Sequence, residues 1–148
     1  MTNSTVNGTV TATSPGAITY CGSTEDGKLS VSASTGAVTL GDGGACAADT
    51  IPSTISITGA AGPVMVNGLE ENETLTLSDG TGGVTLSASS VNGPVYVEDN
   101  AGPSVTVAGN SVTGSLYCTG NNPAPTDNGS INTVSGTATS QCAALAER

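Results

Sequence analysis

Apolar-x-apolar triplets recur along this chain at a nearly constant step, and that periodicity restricts its folding more than any other feature. The first apolar residue of each triplet falls at Val10, Ile18, Leu29, Val38, Ile55, Val64, Leu75, Val84, Val95, Val105, Leu116 and Ile131. Alternate members form two columns. One holds Val10, Leu29, Ile55, Leu75, Val95 and Leu116; the other holds Ile18, Val38, Val64, Val84, Val105 and Ile131. The step within a column is about twenty residues, the sign of a coil that repeats and stacks. Two insertions test the idea. "GDGGACAADTIP" lengthens both columns at the same place, and "GNNPAPTDNG" lengthens the last step of the second.

Each triplet is too short to fold by itself. A rung buries two or three aliphatic side chains at roughly 1.5–3 kcal/mol each, against about 1–2 kcal/mol per ordered backbone residue. Stacked coils share their interfaces, so stability accumulates along the axis. The expected fold is all-β: one parallel β-solenoid of about six coils, right-handed as parallel crossovers are, spanning residues 1–148 as a single domain. Leu69, Val91 and Val112 suggest a third short side in some coils. Gly16, Gly36, Gly62, Gly82 and Gly102 precede the second-column strands, and Gly27, Gly93 and Gly114 precede three of the first. They are read as bends needing a φ that other residues resist. The leader 1–8 and the tail 143–148, the latter as a turn of helix, are expected to cap the ends, because a bare terminal coil is an open strand edge.

Composition agrees with narrow strands and many turns: 21 Gly, 7 Pro, no Phe, no Trp and 3 Tyr. Lys28 and Arg148 are the sole basic residues against twelve acids, for a net charge of -10. Nucleic-acid binding requires clustered cations, as does an anionic membrane surface, so neither partner is expected. No apolar run is long enough to span a bilayer, so membrane insertion is not expected. With no signal peptide in view, an exported product would be one trimmed at Met1.

Four cysteines, Cys21, Cys46, Cys118 and Cys142, lack CxxC spacing, and the chain has no His to complete a zinc site. Disulfides are the better reading. Cys21 pairs with Cys46 and Cys118 with Cys142, since each pair is local and brackets one end. Disulfides imply an oxidising compartment and so a secreted or cell-surface location; bonds formed after release, as by lysis, are the other route.

The stretch Gly114–Cys142, "GSLYCTGNNPAPTDNGSINTVSGTATSQC", resembles the module "GNLxCxGNxPAPTxxGxxNTVxGxxxGQC" that ends the short "TVxGNVxxxG" coils of a group of uncharacterised secreted actinobacterial β-helix repeat proteins. The chain departs from it in Ser140, where the pattern has Gly, and in Tyr117, where a small polar residue is usual. The resemblance implies a secreted β-helical product and brings no catalytic residues with it.

Strand alternation assigns the outward positions. In the first column they are Thr9, Thr11 and Thr13, then Lys28, Ser30 and Ser32, then Thr54, Ser56 and Thr58, then Thr74, Thr76 and Ser78. After these come Pro94, Tyr96 and Glu98, then Ser115, Tyr117 and Thr119. A flat hydroxyl lattice is like the ice-binding face of some solenoid antifreeze proteins, although Thr and Ser also simply suit exposed strands. Tyr96, Glu98 and Tyr117 form a candidate glycan patch, although two tyrosines one rung apart also stack on each other. Asp42, Glu70, Glu71, Glu73, Asp79, Glu98 and Asp99 are candidate calcium oxygens, but they match no known calcium repeat. Solvated turn acids are the plainer reading, so no cofactor and no metal site is expected. With no His for a triad and no two acids facing one cleft, the chain is not expected to be an enzyme. The expected role is a rigid extracellular structural or adhesive element, in contact with polysaccharide or with copies of itself as a filament. Ice binding and glycan binding are the alternatives.

Overall fold

The computed structural model describes residues 1–41 and 45–147. The described residues form twenty short strands and no helix. In chain order they open with β1 (Thr5–Val6), β2 (Val10–Thr13), β3 (Ile18–Tyr20), β4 (Thr24–Glu25), β5 (Leu29–Ser32), β6 (Val38–Leu40) and β7 (Asp49–Ile51). The middle comprises β8 (Ile55–Thr58), β9 (Val64–Asn67), β10 (Leu69–Glu71), β11 (Leu75–Ser78), β12 (Val84–Ser87), β13 (Ser90–Val91) and β14 (Val95–Glu98). The end comprises β15 (Val105–Ala108), β16 (Ser111–Val112), β17 (Leu116–Thr119), β18 (Asn132–Val134), β19 (Ala138–Ser140) and β20 (Ala146–Glu147).

Three parallel sheets form the faces of a solenoid. The first face runs β2-β5-β8-β11-β14-β17-β19, the second β3-β6-β9-β12-β15, and the third β1-β4-β7-β10-β13-β16-β18-β20. Neighbours within a face are one coil apart in the chain, so the strands wind rather than fold back. Leu75 pairs with Ile55 on one side and Val95 on the other; Val84 lies between Val64 and Val105. Inward residues such as Leu29, Ile55, Leu75, Val95 and Leu116 are at most 1% exposed and pack as one continuous core. The chain is thus a parallel β-solenoid of about seven turns rather than six, because Ala138 of β19 adds a rung beyond Leu116.

Several expectations need correcting. The third side is no occasional feature: it extends along the whole axis and has the most strands of the three. Ile131 does not continue the second column but is 51% exposed; Thr126 bridges Thr106 in its place, and the inward residues beyond the insertion are Asn132 and Val134 of the third face. The leader provides β1, paired with β4, and the tail adds β20 to the third face where a helical turn was expected.

The stacked glycines are required for a different reason than bending. Gly36, Gly62, Gly82, Gly93 and Gly114 have no positive φ, but a Cβ on any of them would lie 1.2–2.4 Å from the backbone of the coil before. They are contact points between coils. The bends are made by other residues, left-handed at the end of each first-face strand: Ser14, Ala33, Gly59, Asp79, Asp99 and Gly120 just after the strand, and Ser140 as the last residue of β19.

Buried amides hold two of the corners. Asn100 Oδ1 accepts the Gly80 N–H at 3.0 Å, and its Nδ2 donates to Leu77 O and to Asn121 Oδ1, both at 3.0 Å. Asn121 repeats the pattern one coil on, donating to Val97 O at 2.7 Å and to Gln141 Oε1 at 3.0 Å. Asn110 and Asn132 form the same ladder at the next corner, bonded to Leu86 O and Val107 O. Backbone groups that the turning chain cannot pair are satisfied this way, as buried polar groups must be.

Candidate functional site

Alternation along the first face sets its outward side chains in two straight rows. One is Thr11, Ser30, Ser56, Thr76, Tyr96, Tyr117 and Thr139; the other is Thr13, Ser32, Thr58, Ser78, Glu98 and Thr119. The first four rungs therefore present eight hydroxyls, about 4.8 Å apart between rungs and about 7 Å apart within a strand. Thr9, Thr54 and Thr74 lie one residue before their strands. Thr54 is engaged, donating its hydroxyl to Glu73 Oε2 at 2.9 Å and its N–H to the same oxygen at 3.1 Å.

The same alternation sets a second hydroxyl row on the second face, beyond the first-column positions read from the sequence. The middle residues of the second-column triplets, Thr19, Thr39, Met65, Thr85 and Thr106, are in register on the second face, and Thr126 extends them. Among the described residues no strand of this face carries a charged residue, although the chain is strongly acidic. Met65, 42% exposed, interrupts the threonines.

Tyr96 and Tyr117 stack on each other with ring centroids 5.0 Å apart and planes 11° from parallel. Each ring thus covers one face of the other. Glu98 lies in the neighbouring row, opposite Thr119. The patch is brought together as expected, but its aromatic faces are partly used within the pair.

The acids do not all lie in solvated turns. Glu25, Asp49 and Glu71 point into the solenoid and are at most 1% exposed. Glu25 Oε2 accepts the Tyr20 hydroxyl at 2.8 Å and Oε1 accepts the Val10 N–H at 3.1 Å. Burial, then the hydrogen bond to Glu25, raise the Tyr20 phenol well above its usual range. Burial likewise raises Glu25, its hydrogen bonds opposing. Asp49 accepts N–H groups from Ser23 and Gly41. Glu71 is pushed up to about 7, chiefly by burial.

The candidate calcium oxygens are dispersed. Asp42 lies outside the described residues. Glu70 is exposed on the third face, Glu71 is internal, Glu73 is occupied with Thr54, and Asp79 and Asp99 sit at exposed left-handed corners. Among the described residues no three such side chains gather where an ion could be held. At the C-terminal end a cavity of about 140 Å³ opens between Val134, Gly136, Ala138, Ala143, Ala146 and Glu147. That is well under the roughly 300–1,000 Å³ of small-molecule sites.

Both disulfides pair as expected, Cys21 with Cys46 and Cys118 with Cys142. Cys118 and Cys142 are wholly buried. No helix of the described residues is long and apolar enough to cross a membrane. Fold and bracing together define the chain as a disulfide-linked parallel β-solenoid. No protein-family model, curated protein or solved structure matches it.

Proposed function

We propose that the chain is a non-enzymatic extracellular scaffold: a stiff prism that holds flat, mostly uncharged hydroxyl rows in register against a polysaccharide surface or against its own copies. The observation that carries this reading is the unbroken ladder, in which every interior strand is paired on both sides. Such a frame loses little conformational entropy on contact, so many weak hydroxyl contacts can add. The two disulfides support an oxidising, extracellular setting.

The test is retention on insoluble polysaccharides, run beside sedimentation and negative-stain imaging. Retention, or polymers that grow with concentration, is the expected result. A monomer retained on nothing would overturn the proposal.

The eight in-register hydroxyls favour one second reading, adsorption to ice. It predicts thermal hysteresis or recrystallisation inhibition that disappears in Thr76→Tyr while the fold persists. Absence of both effects in the wild type would remove it. Glycan binding at Tyr96 and Tyr117 is less favoured, because the rings face each other. If it holds, the Tyr96→Ala, Tyr117→Ala double variant loses retention.

A further inference from the structure

Glu71 sits midway along the third face with its carboxyl turned inward. It is 1% exposed and lies in the ladder between Ile51 of β7 and Val91 of β13. Oε1 accepts the Glu73 N–H at 2.7 Å. Oε2 is buried without a hydrogen-bond partner. Among the described residues Glu71 is the one inward acid in this state: both oxygens of Glu25 and both of Asp49 accept hydrogen bonds.

The charged groups around Glu71 share its sign. β7 brings the buried Asp49, and β4 brings Glu25, bonded to Tyr20, in the same inward row. Its own strand carries Glu70 outward, with Glu73 at the corner beyond. β13 supplies Ser90 and Val91, while β8 and β11 turn Ile55, Ile57, Leu75 and Leu77 inward. Lys28 is exposed, just before β5. A buried carboxylate with no cation and one bare oxygen costs several kcal/mol, on the order of a lost salt-bridge partner, whereas the neutral acid costs far less.

Cys21–Cys46 braces the N-terminal coils and Cys118–Cys142 the C-terminal ones. The coils around β10 lie between the two and depend on packing and the ladder alone.

We propose that Glu71 is a proton-operated latch: as the neutral acid it closes the middle of the third face, and on losing its proton it pulls the Leu69–Glu73 rung out of the ladder. The latch is independent of what the outer faces bind. It makes the unbraced middle tight in acid and loose above neutrality.

The folded-state value of about 7 lies above the ordinary 4.5. Between these two the folded chain holds a proton that the opened chain has released. The stabilisation is therefore full below about pH 4.5 and is lost as pH rises to about 7. One proton makes the opening constant grow roughly tenfold per pH unit across that window.

The experiment is amide hydrogen exchange between pH 5 and 8, corrected for intrinsic chemistry, on the wild type and on Glu71→Gln. The reporters are the Glu73 N–H and the Asn92 N–H, the latter bonded to Glu71 O at 2.9 Å. In the wild type their opening constant should climb roughly fortyfold from pH 5 to 7 and level off above that, while amides near the disulfides change little. Glu71→Gln should flatten the profile. Parallel profiles in the two proteins would overturn the latch. So that a variant that fails to fold leaves the idea exposed, the carboxyl carbon of Glu71 is also followed by NMR in the wild type. Titration near 7 supports the latch, and titration at 4–5 refutes it.

Discussion

Alanine at position 82 would place its Cβ 2.2 Å from the carbonyl carbon of Gly62, 2.4 Å from its oxygen and 2.6 Å from Ala61 O. Those atoms are backbone of the preceding coil, so relief requires the two coils to separate by about 1 Å, to reach ordinary contact distances. The bonds on either side resist: Thr81 N–H to Ala60 O at 2.8 Å and Val64 N–H to Gly83 O at 3.0 Å. Overpacking at about 1–3 kcal/mol plus two weakened buried bonds at about 1–3 kcal/mol each gives a loss of roughly 3–9 kcal/mol. This is a large part of the 5–15 kcal/mol that holds a typical domain. Gly16 stands first in the same column, in the same sequence setting before an apolar triplet, and a Cβ there meets nothing within 4 Å. Gly16→Ala should leave stability unchanged or raise it by up to about 1 kcal/mol through the unfolded state. Urea unfolding followed by far-UV circular dichroism measures both. If Gly82→Ala and Gly16→Ala behave alike, the coil-contact reasoning fails.

Other perturbations follow from the same contacts. Asn121→Ala strips partners from Val97 O, the Asn100 amide and Gln141 in the buried corner; it should cost about 3 kcal/mol or more in urea unfolding, whereas Asn92→Ala, which loses one exposed bond to Asn72, should cost under about 0.5 kcal/mol. Opening Cys118–Cys142, which closes a 24-residue separation, should lower the unfolding free energy by about 3.5 kcal/mol on loop-entropy grounds, measured with and without reductant. Leu75→Ala, emptying a wholly buried position in the middle of the first face, should cost about 2–5 kcal/mol by the same assay.

The first and second faces were legible because their rungs alternate aliphatic and polar residues, so Leu75 and Val95 declare themselves as counterparts. The third face was mostly hidden. Its inward row runs Val6, Glu25, Ile51, Glu71, Val91, Val112 and Val134, and two glutamates in a row of aliphatics read as solvated acids. An internal Asn132 hid the last coil in the same way, drawing the second column to Ile131. Asn100, Asn110 and Asn121 look like turn residues, since nothing local distinguishes an amide facing solvent from one reaching a carbonyl a coil away. Glycine poses a similar ambiguity: a positive φ and a close backbone approach select the same residue. The strand positions of the candidate hydroxyl face were legible because they depend on alternation alone, whereas Thr9, Thr54 and Thr74 fall one residue before their strands and Thr139 adds a further rung. The threonine row of the second face obeyed the same rule.

Nuclear Overhauser contacts between backbone protons around Leu75 report which strands are neighbours in solution. A solenoid requires contacts from the Leu75–Ser78 strand to Ile55–Thr58 on one side and to Val95–Glu98 on the other, all in parallel register. Contacts instead linking Leu75–Ser78 to Val84–Ser87 in antiparallel register would contradict the solenoid and remove the hydroxyl rows built on it.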